Sequence, residues 1–161
     1  MTKAQPAPRL NLDRSLPVLL TFLANRLNAT GSATYRALFG VGITEVRLLI
    51  MLAVEPDIHA ARICEVMGID GGAASRTLRD LERRGLVSHR RDDHNRAYRR
   101  WSLTAAGETL HDEAVLISKQ REDILTATMT PAEQDLLIGL LKRMLGETDT
   151  LATVAQRPGK S

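Results

Sequence analysis

Leucines recur at steps of three and four residues near the start of the chain, at Leu12, Leu16, Leu19, Leu20, Leu23 and Leu27. That is the period of one helix face. It predicts a first helix from Asp13 or Ser15 to about Leu38, with Pro17 in the first turn, where a missing N–H is harmless, and Gly31 as a candidate interruption. Gly40 and Gly42 break the pattern ahead of Thr44, the expected N-cap of a second helix from Glu45 to Val54. That helix is expected to end at Glu55-Pro56, because the residue before proline avoids the helical region. A third helix is expected over about Ile58 to Met67, with Asp57 as cap candidate and Gly68 as its stop. Asp70 caps a fourth, which runs to Arg84 and stops at Gly85. Leu86 to Ser88 and Tyr98 to Leu103 read as two short strands flanking a polar, turn-prone loop. Thr104 caps a fifth helix, about Ala105 to Thr126. Thr130-Pro131-Ala132-Glu133 is a capping box that opens a sixth, to about Leu151. The order is α-α-α-α-β-β-α-α.

The sixth helix carries a second apolar stripe: Leu136, Leu137, Leu140, Leu141, Met144 and Leu145. Two such stripes at the chain ends offer more apolar surface than one small chain is expected to bury, and a shared helical dimer interface is the expected solution. Aromatic residues make up only 3% of the chain, so the core must be aliphatic, which favours helix packing over a β-sandwich. One cysteine, Cys64, excludes an intramolecular disulfide and fits a reducing compartment. It is expected to be a small buried packing residue that lets two helices cross closely. The first fifteen residues hold no apolar run of a secretory signal, and the longest apolar run, Leu48 to Val54, is too short for a membrane span. A soluble cytoplasmic protein without a membrane role is expected.

Charge decides where the chemistry lies. Between Gly71 and Thr104 stand nine Arg, no Lys and four acids, a net of +5, whereas the whole chain is only +3; the rest therefore carries −2. Positive charge gathered in one unit is what a phosphate-binding surface needs. On a helical wheel, Ala74, Leu78 and Leu81 of the fourth helix fall on one side, and Gly72, Arg76, Arg79 and Arg83 on the other. One face packs while the opposite face presents guanidinium forks suited to phosphate and to the O6/N7 edge of guanine. Gly71 and Gly72 leave the helix N-terminus bare for close approach of a phosphate. In the hairpin, Arg90, Arg91, Arg96, Arg99 and Arg100 surround a tip of Asp92-Asp93-His94-Asn95. Arginine on a thin hairpin suits a narrow minor groove. The two aspartates would be repelled there and are expected to orient neighbouring arginines. Trp101 and Leu103 alternate inward, so Trp101 is read as an anchor rather than a base-stacking platform.

The segments SRTLRDLERRGLVSHRRDD (75–93) and WSLTAAGETL (101–110) resemble the MarR family of winged helix-turn-helix transcriptional regulators. The first is similar to the family's recognition helix, glycine stop and first wing strand. The second is similar to its return strand and the Leu-Thr-x-x-Gly entry to the next helix. The likeness spans roughly residues 12 to 152. One departure stands in the wing: the places where the family often carries Asp-x-Arg hold Asn95 and Ala97, with Asp93 and Arg96 nearby as substitutes. The resemblance implies a homodimer on a pseudo-palindromic double-stranded operator, usually as a repressor, with Ser75 joining the DNA-contacting set. It implies residues 12–42 and 105–152 as the dimerisation region, 43–104 as the DNA-binding domain, and 1–11 and 153–161 as arm and tail. It implies also a small-molecule pocket between the two regions. Arg26, Tyr35, Arg47 and His59 are its candidates, and the two arginines suit an anionic effector such as an aromatic acid or an acyl thioester.

Other readings are weaker. The four His (59, 89, 94, 111) show no metal spacing, and neither a glycine-rich phosphate loop nor a nucleophile elbow is present. No enzyme, cofactor or metal is expected. A winged-helix protein-interaction module and a sequence-independent architectural DNA binder are the alternatives.

Overall fold

The computed structural model describes residues 11–151. The expected arm, all but its last residue, and the expected tail lie outside them. Leu12–Arg14 is a single 3-10 turn. Helices α1 (Leu16–Phe39) and α2 (Ile43–Val54) follow, then strand β1 (Ile58–His59), helices α3 (Ala60–Met67) and α4 (Gly71–Arg83), strands β2 (Val87–Arg91) and β3 (Arg99–Leu103), and helices α5 (Ala105–Thr126), α6 (Pro131–Gly146) and α7 (Thr148–Leu151). Two compact units divide inside α5, after Leu116.

Several boundaries differ from the sequence expectation for local reasons. Gly31 does not interrupt α1; it is buried within it. The cap of α2 is Gly42, not Thr44, and the Glu45 carboxylate accepts the Gly42 N–H. A Cβ on Gly42 would lie 2.7 Å from that carboxylate, so a larger residue there would displace the Glu45 side chain from its capping position. Asp57 is not a helix cap: it takes φ 58°, and the next two residues form β1, not the first turn of α3. The expected sixth helix is broken at Glu147 into α6 and α7.

The three strands form an antiparallel sheet in the order β1-β3-β2. The core of the first unit is aliphatic, as the composition requires: Val41, Val46, Leu48, Leu49, Leu52, Ile63, Leu78 and Leu81 are buried, joined by Tyr35 and Trp101. Cys64 is only half-buried, which corrects the expectation of a buried packing residue. In the second unit none of the residues of α6 or α7 is buried. Leu136, Leu137, Ile138, Leu140 and Leu145 of α6 are all exposed.

The entry to α5 is set by a tight crossing. Leu86 carbonyl oxygen accepts the Thr104 N–H (3.1 Å), and Thr104 Oγ1 donates to the Gly85 carbonyl (2.6 Å) while accepting the Gly107 N–H (3.1 Å). One threonine therefore caps α5 and ties it to the end of α4. Gly107 then passes directly over the Leu86 carbonyl, where a Cβ would collide.

Candidate nucleic-acid interface

Helix α4 is held at both ends by local signals. Asp70 accepts the Ala73 N–H (2.9 Å) at its start, and Gly85 at φ 71° ends it, with the Leu86 N–H returning to the Leu81 carbonyl (3.0 Å). Gly68 at φ 63° makes the turn from α3. Ala74, Leu78 and Leu81 are buried; Gly72, Ser75, Arg76, Arg79 and Arg83 are exposed. The two-faced wheel is thus what the fold contains.

Its details modify the expectation. Asp70 already supplies an anion to the α4 N-terminus, and a Cβ on Gly72 would sit 3.0 Å from that carboxylate and 3.3 Å from the Arg76 guanidinium. Gly72 leaves room for Arg76 and the cap, and Asp70 takes one of the N–H groups, that of Ala73, at this helix end. Arg83 pairs with Asp80 (2.7 Å), and Arg79 Nε donates to the Ser75 carbonyl (3.1 Å). No ion pair of Arg76 appears among the described residues.

The wing sorts its five arginines by strand register. Arg90 lies opposite Arg100, and Arg91 opposite Arg99. Like charges placed across a ladder repel. The first pair is compensated. Arg90 grips both carboxylate oxygens of Asp57 (2.9 and 2.6 Å) and reaches Asp93 (2.8 Å). Arg100 pairs with Asp92 and donates to the Asp57 carbonyl (3.0 Å). Asp92 is only 5% exposed. Its Oδ1 accepts the N–H groups of His94 (2.8 Å) and Asn95 (3.0 Å), and its Oδ2 also meets His59 Nε2 (3.2 Å). The acids of the tip do orient neighbouring arginines, and Asp92 builds the turn as well. The second pair, Arg91 and Arg99, is exposed and has no acid partner among the described residues; nor has Arg96 at the tip. Arg90 was expected to face DNA, but its fork is committed to Asp57 and Asp93. The sequence offered no sign of this, because Asp57 is 33 residues away from Arg90.

Between α4 and the wing lies an open groove of about 490 Å³, lined by Ser75, Leu78 and Arg79 on one side and Ala97, Tyr98, Arg99 and Trp101 on the other. Trp101 is buried beneath it as the wing's anchor, tilted against His89 at 5.0 Å. The groove therefore has an apolar floor and guanidinium walls.

The four expected effector residues do not form one site. Tyr35 is in the core, stacked on Phe39. His59 belongs to the wing, with Asp92 and Tyr98. Arg26 and Arg47 are exposed on α1 and α2. A second cavity, about 400 Å³, lies where α2, β3 and α5 meet, and contains none of the four; its polar lining is Ser102, Glu108, His111 and Asp112. Among the described residues no cluster of His, Cys, Asp or Glu is placed to hold a metal ion, and no single helix is long and apolar enough to cross a membrane.

The ion pairs predict the acid response of the wing. Arg90 holds the Asp57 carboxyl below the ordinary carboxylate range, and Arg100, with the Asn95 and His94 N–H groups, does the same more strongly for Asp92. A depressed folded-state value means that the stabilisation is present above the unfolded aspartate value of about 3.9 and fades as pH falls toward the folded one. Asp92→Asn is therefore expected to lower the melting temperature at pH 7, and the gap from wild type should shrink below about pH 4. Thermal melts from neutral to strongly acid pH test this; a gap that stays constant down the acid limb would refute it.

Comparisons with known proteins agree with the geometry. The model of the MarR family matches residues 39–97. The HTH-type transcriptional regulator YwaE of Bacillus subtilis is 27% identical over 149 residues, covering 92% of this chain and 87% of its own. The crystal structure of a MarR/EmrR family transcriptional regulator from Acinetobacter sp. ADP1 superposes with a TM-score of 0.81 at 30% identity, covering 88% of this chain and 99% of its own. That of the S. aureus MepR–DNA complex superposes at 0.74 with 18% identity, covering 83% and 98%. A two-faced helix beside an arginine-edged wing, on a backbone shared over 88% of this chain with a relative of 30% identity, is a DNA-reading head, and the chain belongs to the MarR family of winged helix-turn-helix transcriptional regulators.

Proposed function

We propose that the protein is a homodimeric repressor that seats two α4 helices on a pseudo-palindromic operator. The observation that carries this is the uncovered apolar surface at the chain ends. Leu16, Leu19, Phe22 and Leu23 of α1 are 61, 44, 51 and 45% exposed, and Leu136 and Leu145 of α6 are 63 and 68% exposed. Apolar area on this scale calls for a partner, and a second copy supplies the same stripes by symmetry. In this reading residues 12–42 and 105–152 form the shared helical body and 43–104 the reading head. Arg76 and Arg79 reach base edges. Arg83, Arg91, Arg96 and Arg99 hold the backbone or the minor groove. In this reading the protein works in the cytoplasm, alongside its operator.

A repressor also needs a release signal. We infer a small ligand acting at the joint between body and reading head, at a pocket not built from Arg26, Tyr35, Arg47 and His59 together. Such a ligand must favour one spacing of the two heads; equal affinity for both states would shift nothing. Sedimentation of the purified protein, followed by footprinting on a site selected from random duplex DNA, tests the core of the reading. A dimer at micromolar concentration protecting two half-sites about 10 bp apart is expected. A monomer, or uniform coating of any duplex, would eliminate it; the second outcome is that of an architectural DNA binder.

A further inference from the structure

We propose that Arg84 is a positioning residue that fixes the angle of the recognition helix against α1 and so sets the spacing of the two reading heads. The inference rests on the dimeric operator reading above. Arg84 is one of the nine arginines of the basic segment, yet its exposed side chain is engaged with the protein's own backbone. Its own N–H donates to the Asp80 carbonyl (3.2 Å), which fixes its backbone to the end of α4. Its guanidinium spans to another helix altogether. Nη1 donates to the Gly40 carbonyl (3.1 Å) and Nη2 to the Phe39 carbonyl (3.2 Å).

Those two carbonyls are at the C-terminus of α1, where the last four carbonyls of a helix lack intrahelical partners. Gly40, at φ 67°, closes the helix through its N–H to Arg36 and turns the chain toward α2. The cap of α1 is thus completed by a residue 44 positions away in sequence. A cation there also meets the negative end of the α1 dipole. Two consecutive carbonyls are matched by two N–H groups of one planar fork. A lysine ammonium keeps the charge but has no such fork to fix the angle.

The consequence is mechanical. α1 carries one of the apolar stripes through which the two copies associate in the proposed dimer. α4 carries the base-reading face. Arg84 is a direct polar tie between them across the α1–α2 joint, and a dimer whose heads swivel seats both helices on one operator less well. Any ligand that alters the end of α1 acts on α4 through this same tie.

The test uses the full-length protein and the site that wild type selects from a random duplex library, with derivatives in which the half-site separation is changed by one base pair in either direction. Arg84→Lys retains the charge, and Arg84→Gln removes it but keeps an amide donor. Wild type should discriminate sharply among the three spacings. Both variants should remain folded by circular dichroism and remain dimeric. Both should lose about five- to tenfold in preference for the native spacing, with the Lys variant's salt slope unchanged. If Arg84 instead holds a phosphate, the Gln variant loses affinity on every duplex alike and its salt slope drops by about one, which overturns the proposal. If Arg84 is merely structural, the melting temperature falls while the spacing preference stays at the wild-type ratio, which overturns it too. A wild type indifferent to spacing would instead overturn the operator reading itself, and this inference with it.

Discussion

Gly107→Ala is expected to cost about 3 kcal/mol or more of folding stability, although Gly107 lies inside a helix. On helix propensity alone the same change should stabilise by about 1 kcal/mol. The sign reverses because of what stands opposite. A Cβ at Gly107 would collide with the Leu86 carbonyl oxygen, and it would approach the Leu86 carbonyl carbon to 3.0 Å and Leu103 Cδ2 to 3.4 Å. The oxygen is main chain and cannot swing aside as a side chain does. It also holds the Thr104 N–H, so moving it breaks the bond that starts α5. Leu86 and Val87 are both buried, which leaves the strand no room to retreat. Against a total stability of about 5–15 kcal/mol, a loss of this size populates the unfolded state measurably. In urea the midpoint should fall with little change in slope. Gly139 is the control, since nothing lies within 4 Å of a Cβ there. A Gly107→Ala protein within about 1 kcal/mol of wild type would show that the crossing relaxes.

Arg76→Ala is expected to weaken binding to the selected operator by about 1–3 kcal/mol and to relax specificity at one base position. Arg76 stands on the exposed face of α4, with no ion pair among the described residues. It starts unpaired, so a base edge does not compete with an internal partner for its fork. Arg99→Ala should behave differently. Arg99 lies across the ladder from Arg91, like charge against like, without an acid partner among the described residues. Its loss should weaken all duplexes alike and lower the salt slope by about one. Arg90→Ala should act through the wing instead, because Arg90 is spent on Asp57 and Asp93. Selection profiles of the variants at several salt concentrations separate these roles. An Arg76→Ala protein that lost affinity equally on operator and random DNA would remove Arg76 from base reading.

The Leu-Thr-x-x-Gly run shows how a motif read by resemblance acquires a cause. In sequence it is a similarity. In the fold Thr104 joins two elements and Gly107 is the only residue type that fits the crossing. Asp-x-Arg was absent from the family's wing positions, and Asn95 and Ala97 stand there. The wing is braced all the same: Asp92 with Arg100, and Asp57 with Arg90, take up the ion pairing. Asn95 Oδ1 accepts the Ala97 N–H (3.0 Å), so the departing residues still shape the tip.

What the sequence determined by itself is local. Asp70 before α4, Gly85 after it and Thr130-Pro131 before α6 act on residues within about one turn. The spacing of Ala74, Leu78 and Leu81 decided which face of α4 is buried, because a helix's period places side chains before any neighbour is known. The net charge of the 71–104 segment pointed to a polyanion for the same reason: charge sums without reference to geometry. What only the tertiary structure decided is which of those charges are available. Arg84, Arg90 and Arg100 are bound to groups 33 to 45 positions away, and no periodicity encodes such a distance. β1 is likewise two residues that become a strand only because the β3 edge lies beside them. The four expected effector residues separated for the converse reason. A pocket is made by which helix faces meet, and Tyr35 and His59 were placed in the core and in the wing by contacts that neither residue's own neighbourhood in the chain reveals.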